Sequence, residues 1–511
     1  VLSTLRKKDV VEAASQSARG RAAHIGAWSE RIARSSWLHG FALATAVFIA
    51  YFGLWRAYFT SDDFWMLGWV RHRPDLGDAL FAQFGYSLRL LLDLNLWLRV
   101  RLFDLDPAPY YWISLFQHVV VTLIVYALVA YWSRRRSVAF VTALLFGTSF
   151  AYFEVVTWIT GSNYSLAAIP YLASLGLFSV FLDRRRWPRY AGALTLFAAT
   201  LLLTELALSL PLVMIAYHLI AHGKHSSPMQ VIRRDWRLHA PFWILLAIYM
   251  AIQLGFASAG TSEASVAEQA YRPGLHMLSN YQYLAYLAVP PYLPGALAGF
   301  MPSSVIQAAL TLIALAGGAL AAYVFWKGSS LARFGVALIV LSFLPYSLWE
   351  GAFAGAIRYR YLPALGFSLL LALFAAHAHD RLRQAPRIGY RWIAPVAAAA
   401  LCMVNVFFVQ VWVQRHLENS VVRRALVAGL RDSYPDLAAG SVIYIEVPEE
   451  KYGDLKEACA LLYRQPVECQ SFVTGDPSPA LPDSPGPASM LWIRVSADGI
   501  EQVYPAGRQN P

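Results

Sequence analysis

Charged side chains are scarce in this sequence, at 14% of 511 residues. A soluble domain carries about 25%, so the deficit excludes an ordinary water-soluble globule. A hydrophobic content of 58% points the same way, towards lipid. There are three cysteines, which admit one bridge at most. Most apolar runs lack acidic residues, and the two halves of the chain show no internal repeat. Both absences argue against a transporter, which places functional charges inside its spans and is often built from repeats.

What the chain has is long apolar runs. Leu38–Phe59 covers 22 residues, about 33 Å as a helix, enough for a hydrocarbon core of about 30 Å. This run is too long, and its basic flank too extended, for a cleaved leader. Further spans are expected near 111–132, 137–153, 164–182, 191–204, 206–222, 240–257, 303–326, 334–349, 361–379 and 392–412. With the N-terminus inside, the basic clusters at Arg134–Arg136, Arg184–Arg186, Lys224–Arg237, Lys327 with Arg333, and Arg381–Arg391 all fall inside too. Asp62, Asp63, Asp75, Asp78, Asp93, Asp104 and Asp106 collect in the first outer loop. This is the positive-inside distribution. The net charge of +11 is therefore a topology signal, and nucleic acid is not an expected partner.

The expected organisation is a basic cytoplasmic arm at 1–37, a transmembrane domain of about 11 helices over 38–412, and a small α/β domain over 413–511 outside. Two outer loops are long, 60–110 and 259–302. In the first, "SLRLLLDLNLWLRVRLF" is interrupted by charges, each costly at a bilayer centre. A helix on the interface or packed on the spans is expected there, with Arg89 and Asp93 able to pair at i, i+4. In the second, Pro290, Pro291 and Pro294 break any continuous crossing helix. In the tail, "GSVIYIEVP" reads as a strand, "YGDLKEACALLY" as a short helix and "ASMLWIRVSADGIEQVY" as a strand pair. Cys459 and Cys469 lie outside, where a disulfide is chemically allowed.

Chemistry is expected on the outer face. "YFTSDDFW" places Asp62 beside Asp63 just after the first apolar run. One reading is helix capping, with Ser61 at the N-cap and two acids at the positive end of the dipole. The other is a catalytic carboxylate. Glu154 and Glu205 also fall at outer ends of spans, as capping or solvated acids or as members of the same site. Arg358, Arg360 and Tyr361 precede Pro363, which suits the first turn of a helix and biases Leu362 towards an extended form. Guanidinium groups at a helix N-terminus make a phosphate site, and the alternative is a pair of headgroup anchors. If 358–360 is extended both arginines face the same way; if helical, they do not. Arg89 is a further cation for the same phosphate. "FDLDP" contains a literal Asp-x-Asp at Asp104 and Asp106, but before Pro107 it reads as a turn entering the second span.

These pieces resemble membrane glycosyltransferases of the C-type (GT-C) superfamily, in particular protein O-mannosyltransferases and the transmembrane-and-tetratricopeptide O-mannosyltransferases. The similarity lies in "SDDF", the segment from Ser87 through Asp106-Pro107 to His118, "WITGSNYSLAAIPYL", "LLLTELALSLPLVMIAYHLI" and "RYRYLPALGFSLLLALFA", in that order. Thr204 stands where that family often has a lysine, and no tetratricopeptide repeat is present. The resemblance implies a polytopic α-helical, GT-C-like membrane protein and an inverting hexosyl or pentosyl transferase. It implies Asp62 or Asp63 as base, Glu154 or Glu205 as supporting acid, and Arg358 or Arg360 at the donor phosphate. The donor would be a polyprenyl-phosphate sugar, and the acceptor a hydroxyl of a glycan, lipid or protein. A lipid-linked glycan ligase or polymerase stays open, as does a transporter or flippase. No particular cofactor is implied, and a divalent cation held with the donor phosphate stays open. The expected location is a bacterial inner membrane, with the N-terminus cytoplasmic and the last domain outside.

Overall fold

The computed structural model describes residues 36–81, 88–222, 227–259, 273–350, 354–384, 392–476 and 490–503. The basic arm up to 35, residues 260–272 at the start of the 259–302 loop and the Pro-rich loop beyond residue 476 lie outside the described residues. The helices are α1 (Ser36–Ala50), α2 (Asp63–Arg71), α3 (Leu76–Phe81), α4 (Leu90–Phe103), α5 (Pro107–Ser133), α6 (Arg136–Gly147), α7 (Glu154–Thr157), α8 (Asn163–Arg184) and α9 (Trp187–Leu201). They continue as α10 (Leu210–His222), α11 (Pro228–Ala259), α12 (His276–Asn280), α13 (Leu293–Leu297), α14 (Ser303–Lys327), α15 (Ser330–Ser347), α16 (Tyr361–Leu382), α17 (Ile393–Ser433) and α18 (Ala458–Leu462).

Seven of these helices, some with an adjoining turn, are long and apolar enough to cross a membrane: α5, α8, α11, α14, α15, α16 and α17. Shorter apolar helices occupy Ser36–Ala50, Arg136–Gly147 and Glu205–Ala221. The chain is mostly helical with a small C-terminal sheet. The first apolar run corrects one expectation, because it is not one 22-residue helix. Helix α1 ends at Ala50, Gly53 turns left-handed at φ 89°, and a 3-10 turn follows at Leu54–Arg56. Only glycine enters that conformation at no steric cost. The returning chain stays in the core through Tyr51, Leu54, Ala57 and Phe59, and Trp55 stacks on Trp112 at 4.9 Å.

Six helices close a ring, in which α5 packs on α6, α6 on α16, α16 on α15, α15 on α10, α10 on α8 and α8 on α5. Entry into α5 is set locally: the Asp106 side chain accepts from the Ala108 N–H at 3.2 Å, and Pro107 takes the first helical position. Inside the ring, His118 bonds the Tyr361 hydroxyl at 2.8 Å and the Gly147 carbonyl at 3.0 Å. Helix α14 has scarcely a buried side chain and turns its apolar surface outward.

The C-terminal sheet has the order β2–β1–β3–β4, formed by β1 (Val442–Val447), β2 (Glu468–Val473), β3 (Met490–Val495) and β4 (Ile500–Gln502). The central strand β1 pairs parallel with β2 and β3, and β3 pairs antiparallel with β4. Every residue of β1 is buried, as a strand covered on both faces requires. Helix α17 runs 41 residues to Ser433, so no change of structure falls at 413. Cys459 and Cys469 are bridged, with Cα atoms 5.8 Å apart, joining α18 to β2. Closing a loop of that size is worth about 2–3 kcal/mol. The double variant Cys459→Ser/Cys469→Ser is expected to lose that much in denaturant unfolding. The loss should match the effect of reductant on the wild type.

Candidate active site

The loop from Thr60 to Asp63 leaves the first apolar run and enters α2. Asp63 is fully buried, and donors surround its carboxylate. The Thr160 backbone N–H and hydroxyl donate to one oxygen at 2.8 and 2.6 Å, and the Thr60 N–H donates to the other at 3.2 Å. Asp62 is exposed; its carboxylate receives one contact, from the Ser61 hydroxyl at 3.4 Å. The neighbouring acids thus have opposite surroundings. Burial pushes the Asp63 carboxyl up to about 7, against the pull of its hydrogen bonds, and the adjacent Asp62 adds to the rise.

This shift has a sign that can be measured. An Asp63 that ionises near 3.8 in the unfolded chain and near 7 in the fold is most favourable when protonated. Its contribution is present below pH 4, is lost as pH rises from 4 to 7, and is flat above. One proton corresponds to a slope approaching about 1.4 kcal/mol per pH unit. Unfolding curves of wild type and Asp63→Asn are expected to differ by that slope in this window. Parallel curves would show that Asp63 is ionised throughout.

Arg99 of α4 lies under the same loop, 2% exposed. One of its nitrogens donates to the Ser162 hydroxyl at 3.2 Å. Its Nε and second terminal nitrogen have no hydrogen-bond partner among the described residues. Burial pulls this guanidinium down to about 10, and Tyr110 and Asp63 work against that fall. The expected pairing of Arg89 with Asp93 is not found. Arg89 reaches Glu205 at 3.1 Å instead, and neither Asp93 oxygen has a hydrogen-bond partner among the described residues. Burial pushes the Asp93 carboxyl up to about 7, with Arg89 opposing.

Arg358 and Arg360 lie on a 3-10 turn, Ile357–Arg360, and Leu362 is already helical. The extended arrangement that would aim both arginines alike is therefore absent, since the first turn of α16 accepts Pro363 without displacing Leu362. Arg358 points towards Glu154, 3.7 Å away, and lies over the Trp158 ring at 5.0 Å. Its backbone N–H also donates to Glu154, at 3.3 Å. Burial pushes the Glu154 carboxyl up, opposed by Arg358 and then Arg360. Arg360 is 1% exposed, donates to the Ala151 carbonyl at 3.0 Å and lies over the Tyr286 ring at 5.0 Å. Its second terminal nitrogen has no hydrogen-bond partner among the described residues. Tyr361 is fully buried, with its hydroxyl on His118, so it faces the bundle interior.

Glu205 joins the two arginine regions. It accepts from Tyr164 at 2.5 Å and from Thr204 at 2.9 Å besides Arg89. The Tyr164 hydroxyl also faces Arg358. The result is a chain of alternating groups: Arg89, Glu205, Tyr164, Arg358, Glu154. The segment from Glu154 to Ser162 connects it to the acidic pair, because Glu154 holds Arg358 at one end while Thr160 holds Asp63 at the other. Thus Glu154, Glu205, Arg89 and Arg358 come together, and Asp62 and Asp63 are tied to them through this segment. Among the described residues, no three His, Cys, Asp or Glu side chains come together to hold a metal ion, and the Asp63 oxygens are already occupied by N–H and O–H donors.

Reading the sequence missed Arg99, Thr160, Tyr164, Arg423 and Asp454. Asp454 of the C-terminal module accepts from the Ser61 N–H at 2.8 Å, the Thr60 hydroxyl at 3.4 Å and Arg423 at 2.9 Å. Ser61 is held in the left-handed region at φ 52°. The module also grips α2 further along. Arg71 donates to the Leu461 and Leu462 carbonyls at 3.3 and 3.4 Å, and Gly68 lies so close to Ala460 that a Cβ would sit 2.1 Å from its carbonyl oxygen.

Two solved structures of the Archaeoglobus fulgidus oligosaccharyltransferase are similar to this chain. One, tethered with an acceptor peptide containing the NVT sequon, matches at 13% identity with a TM-score of 0.45, covering 86% of this chain and 64% of that one. The other, in complex with Zn and sulfate, matches at 13% identity with a TM-score of 0.46, covering 84% and 62%. The chain thus spans less than two thirds of the length of the proteins it matches. No protein-family model and no curated protein matches it. Nothing about the reaction follows from a likeness of that depth.

Proposed function

We propose that this chain is an inverting GT-C-type glycosyltransferase that moves a sugar from a polyprenyl-phosphate donor to an acceptor hydroxyl on the extracytoplasmic side. The observation that carries the reading is the Glu154–Ser162 segment, which ties an acidic pair to a set of arginines. Transfer from a lipid phosphate needs a base for the attacking hydroxyl and cations for the departing phosphate. Asp62 is the base in this proposal, since its carboxylate is exposed while that of Asp63 is consumed by three donors. Asp63 positions the loop. Arg358 takes the phosphate, with Glu154 and Glu205 holding its side chain and that of Arg89 in place. The Asp62 carboxylate accepts the hydroxyl proton as the oxygen attacks the anomeric carbon, and the carbon–phosphate-oxygen bond breaks on the opposite face. Arg360 is too deeply buried to reach a substrate and anchors the start of α16. The order of motifs resembling O-mannosyltransferases supports mannose as the first sugar to try.

The test uses purified full-length protein in lipid nanodiscs with radiolabelled polyprenyl-phosphate sugars, following release of lipid phosphate. Turnover or slow hydrolysis that is lost in Asp62→Asn supports the reading. Binding of donors without turnover in any preparation would favour a lipid-linked glycan ligase. Absence of donor binding would overturn it.

A further inference from the structure

Helix α2 carries more than the acidic pair. Asp62 stands at its N-cap position, Trp65 and Trp69 follow at three- and four-residue spacing on one side, and Arg73 lies two residues beyond its end. At 1.5 Å per residue, Trp65 lies about 4–5 Å and Trp69 about 10 Å beyond Asp62 along the axis. Trp65 is 45% exposed. Opposite this face the C-terminal module contributes Ala460 and Arg464, which with Trp65, Trp69, His72 and Arg73 line an open cavity of about 400 Å³. A second cavity of about 610 Å³ shares His72 and Arg464 with it and continues past Arg71, Arg101 and residues 435–437.

The groove has an excess of positive charge. Arg71 neutralises Asp104 at 2.6 Å. Arg73 lies over the Trp69 ring at 4.2 Å, and Arg101 donates to the Arg73 carbonyl at 2.8 Å. Arg464 is exposed and forms no ion pair among the described residues. Against these four arginines stand Asp104 and Asp436 in the lining, and Asp78 facing Arg73.

We infer that this groove binds an anionic oligosaccharide and leads it to Asp62; as the acceptor site, it deepens the transferase reading and rests on it. The exposed Trp65 indole offers a flat apolar face to the C–H surface of a sugar ring while keeping a polar edge. Guanidinium groups pair with the carboxylate or phosphate that such a glycan carries. The two cavities share His72 and Arg464, and the helix rise places successive side chains at about the spacing of linked sugars. A peptide added to a sheet would need a strand edge, whereas no lining residue of either cavity lies in a strand.

The experiment titrates full-length protein in phosphatidylcholine nanodiscs with a fluorescent oligogalacturonate of four to six rings, read by anisotropy at low salt. Competitors are the neutral oligogalactose and an oligoglutamate of equal charge. The oligogalacturonate is expected to bind, and Trp65→Ala and Arg464→Gln are each expected to weaken it by about tenfold or more with unchanged unfolding midpoints. Equal competition by oligogalactose would overturn the anionic class, and equal competition by oligoglutamate would overturn the saccharide. Binding unaffected by both variants, or no binding, would overturn the groove. No turnover is needed, so the two readings fail separately: uronate binding with no donor turnover in wild type or Asp62→Asn leaves the groove standing and removes the transferase.

Discussion

Replacing Asp62 by asparagine is expected to lower turnover by about 10²–10⁴-fold, the usual contribution of a positioned base, and to leave the unfolding midpoint unchanged. The side chain is exposed and, among the described residues, makes a single hydrogen bond, to the neighbouring Ser61 hydroxyl, so little of the fold depends on it. Asp63→Asn is expected to behave in the opposite sense. Its amide oxygen can still accept from Thr160, but its NH₂ then meets the Thr60 N–H, donor against donor. Leaving such a buried group unsatisfied costs about 1–3 kcal/mol. Lipid-phosphate release and denaturant unfolding, measured on the same preparations, separate the two. Turnover abolished in Asp63→Asn at unchanged stability, with Asp62→Asn active, would reverse the roles. Turnover retained in both variants would remove the acidic pair from the chemistry.

Asp454→Ala is expected to be damaging although it lies 391 residues beyond Asp63 in the chain. Its carboxylate is the acceptor for Ser61, Thr60 and Arg423 together. The Arg423 side chain is only 7% exposed, and a buried charge stripped of its partner costs about 3–5 kcal/mol. The same change frees Ser61 from its left-handed conformation, which a non-glycine residue holds only under constraint. A shift of about 1 Å in the adjacent acid would lower turnover by about 10²-fold. Asp454→Asn, which keeps an acceptor oxygen, is expected to lose less than half as much stability. The double variant Asp454→Ala/Arg423→Met distinguishes the two consequences. It removes the stranded charge and should recover stability, while turnover stays low because nothing restrains Ser61. Recovery of turnover together with stability would show that Asp454 serves the fold alone.

Much of the architecture was legible because a bilayer imposes simple rules. Apolar run length identifies helices without any knowledge of packing. The short pieces were harder. The end of α1 depends on Gly53, whose left-handed turn is stabilised by Trp55 stacking on Trp112, a contact across the fold. Strand β2, "ECQSFV", has a half-exposed edge position and little β-branched content, so its pattern is weak. For the site, the residue types and their order along the chain were visible, but the partners were not. Arg89 has Asp93 one helical turn away yet pairs with Glu205, 116 positions on. Arg99 read as an interruption in an apolar helix, and only the fold shows it lying under the Asp63 loop. The arginines at 358 and 360 diverge because the chain takes a 3-10 turn, a choice that local sequence does not decide.

Helix α17, at 41 residues, is about 60 Å long, twice the thickness of a hydrocarbon core. One stiff rod therefore carries both the last membrane segment and Arg423, which grips Asp454. Such a rod is a lever: a tilt of about 5° in the bilayer moves a point about 30 Å further along by roughly 3 Å. Tilt answers to the match between apolar length and lipid thickness. A tilt of that size would reach, through Arg423 and Asp454, the loop that holds the two aspartates.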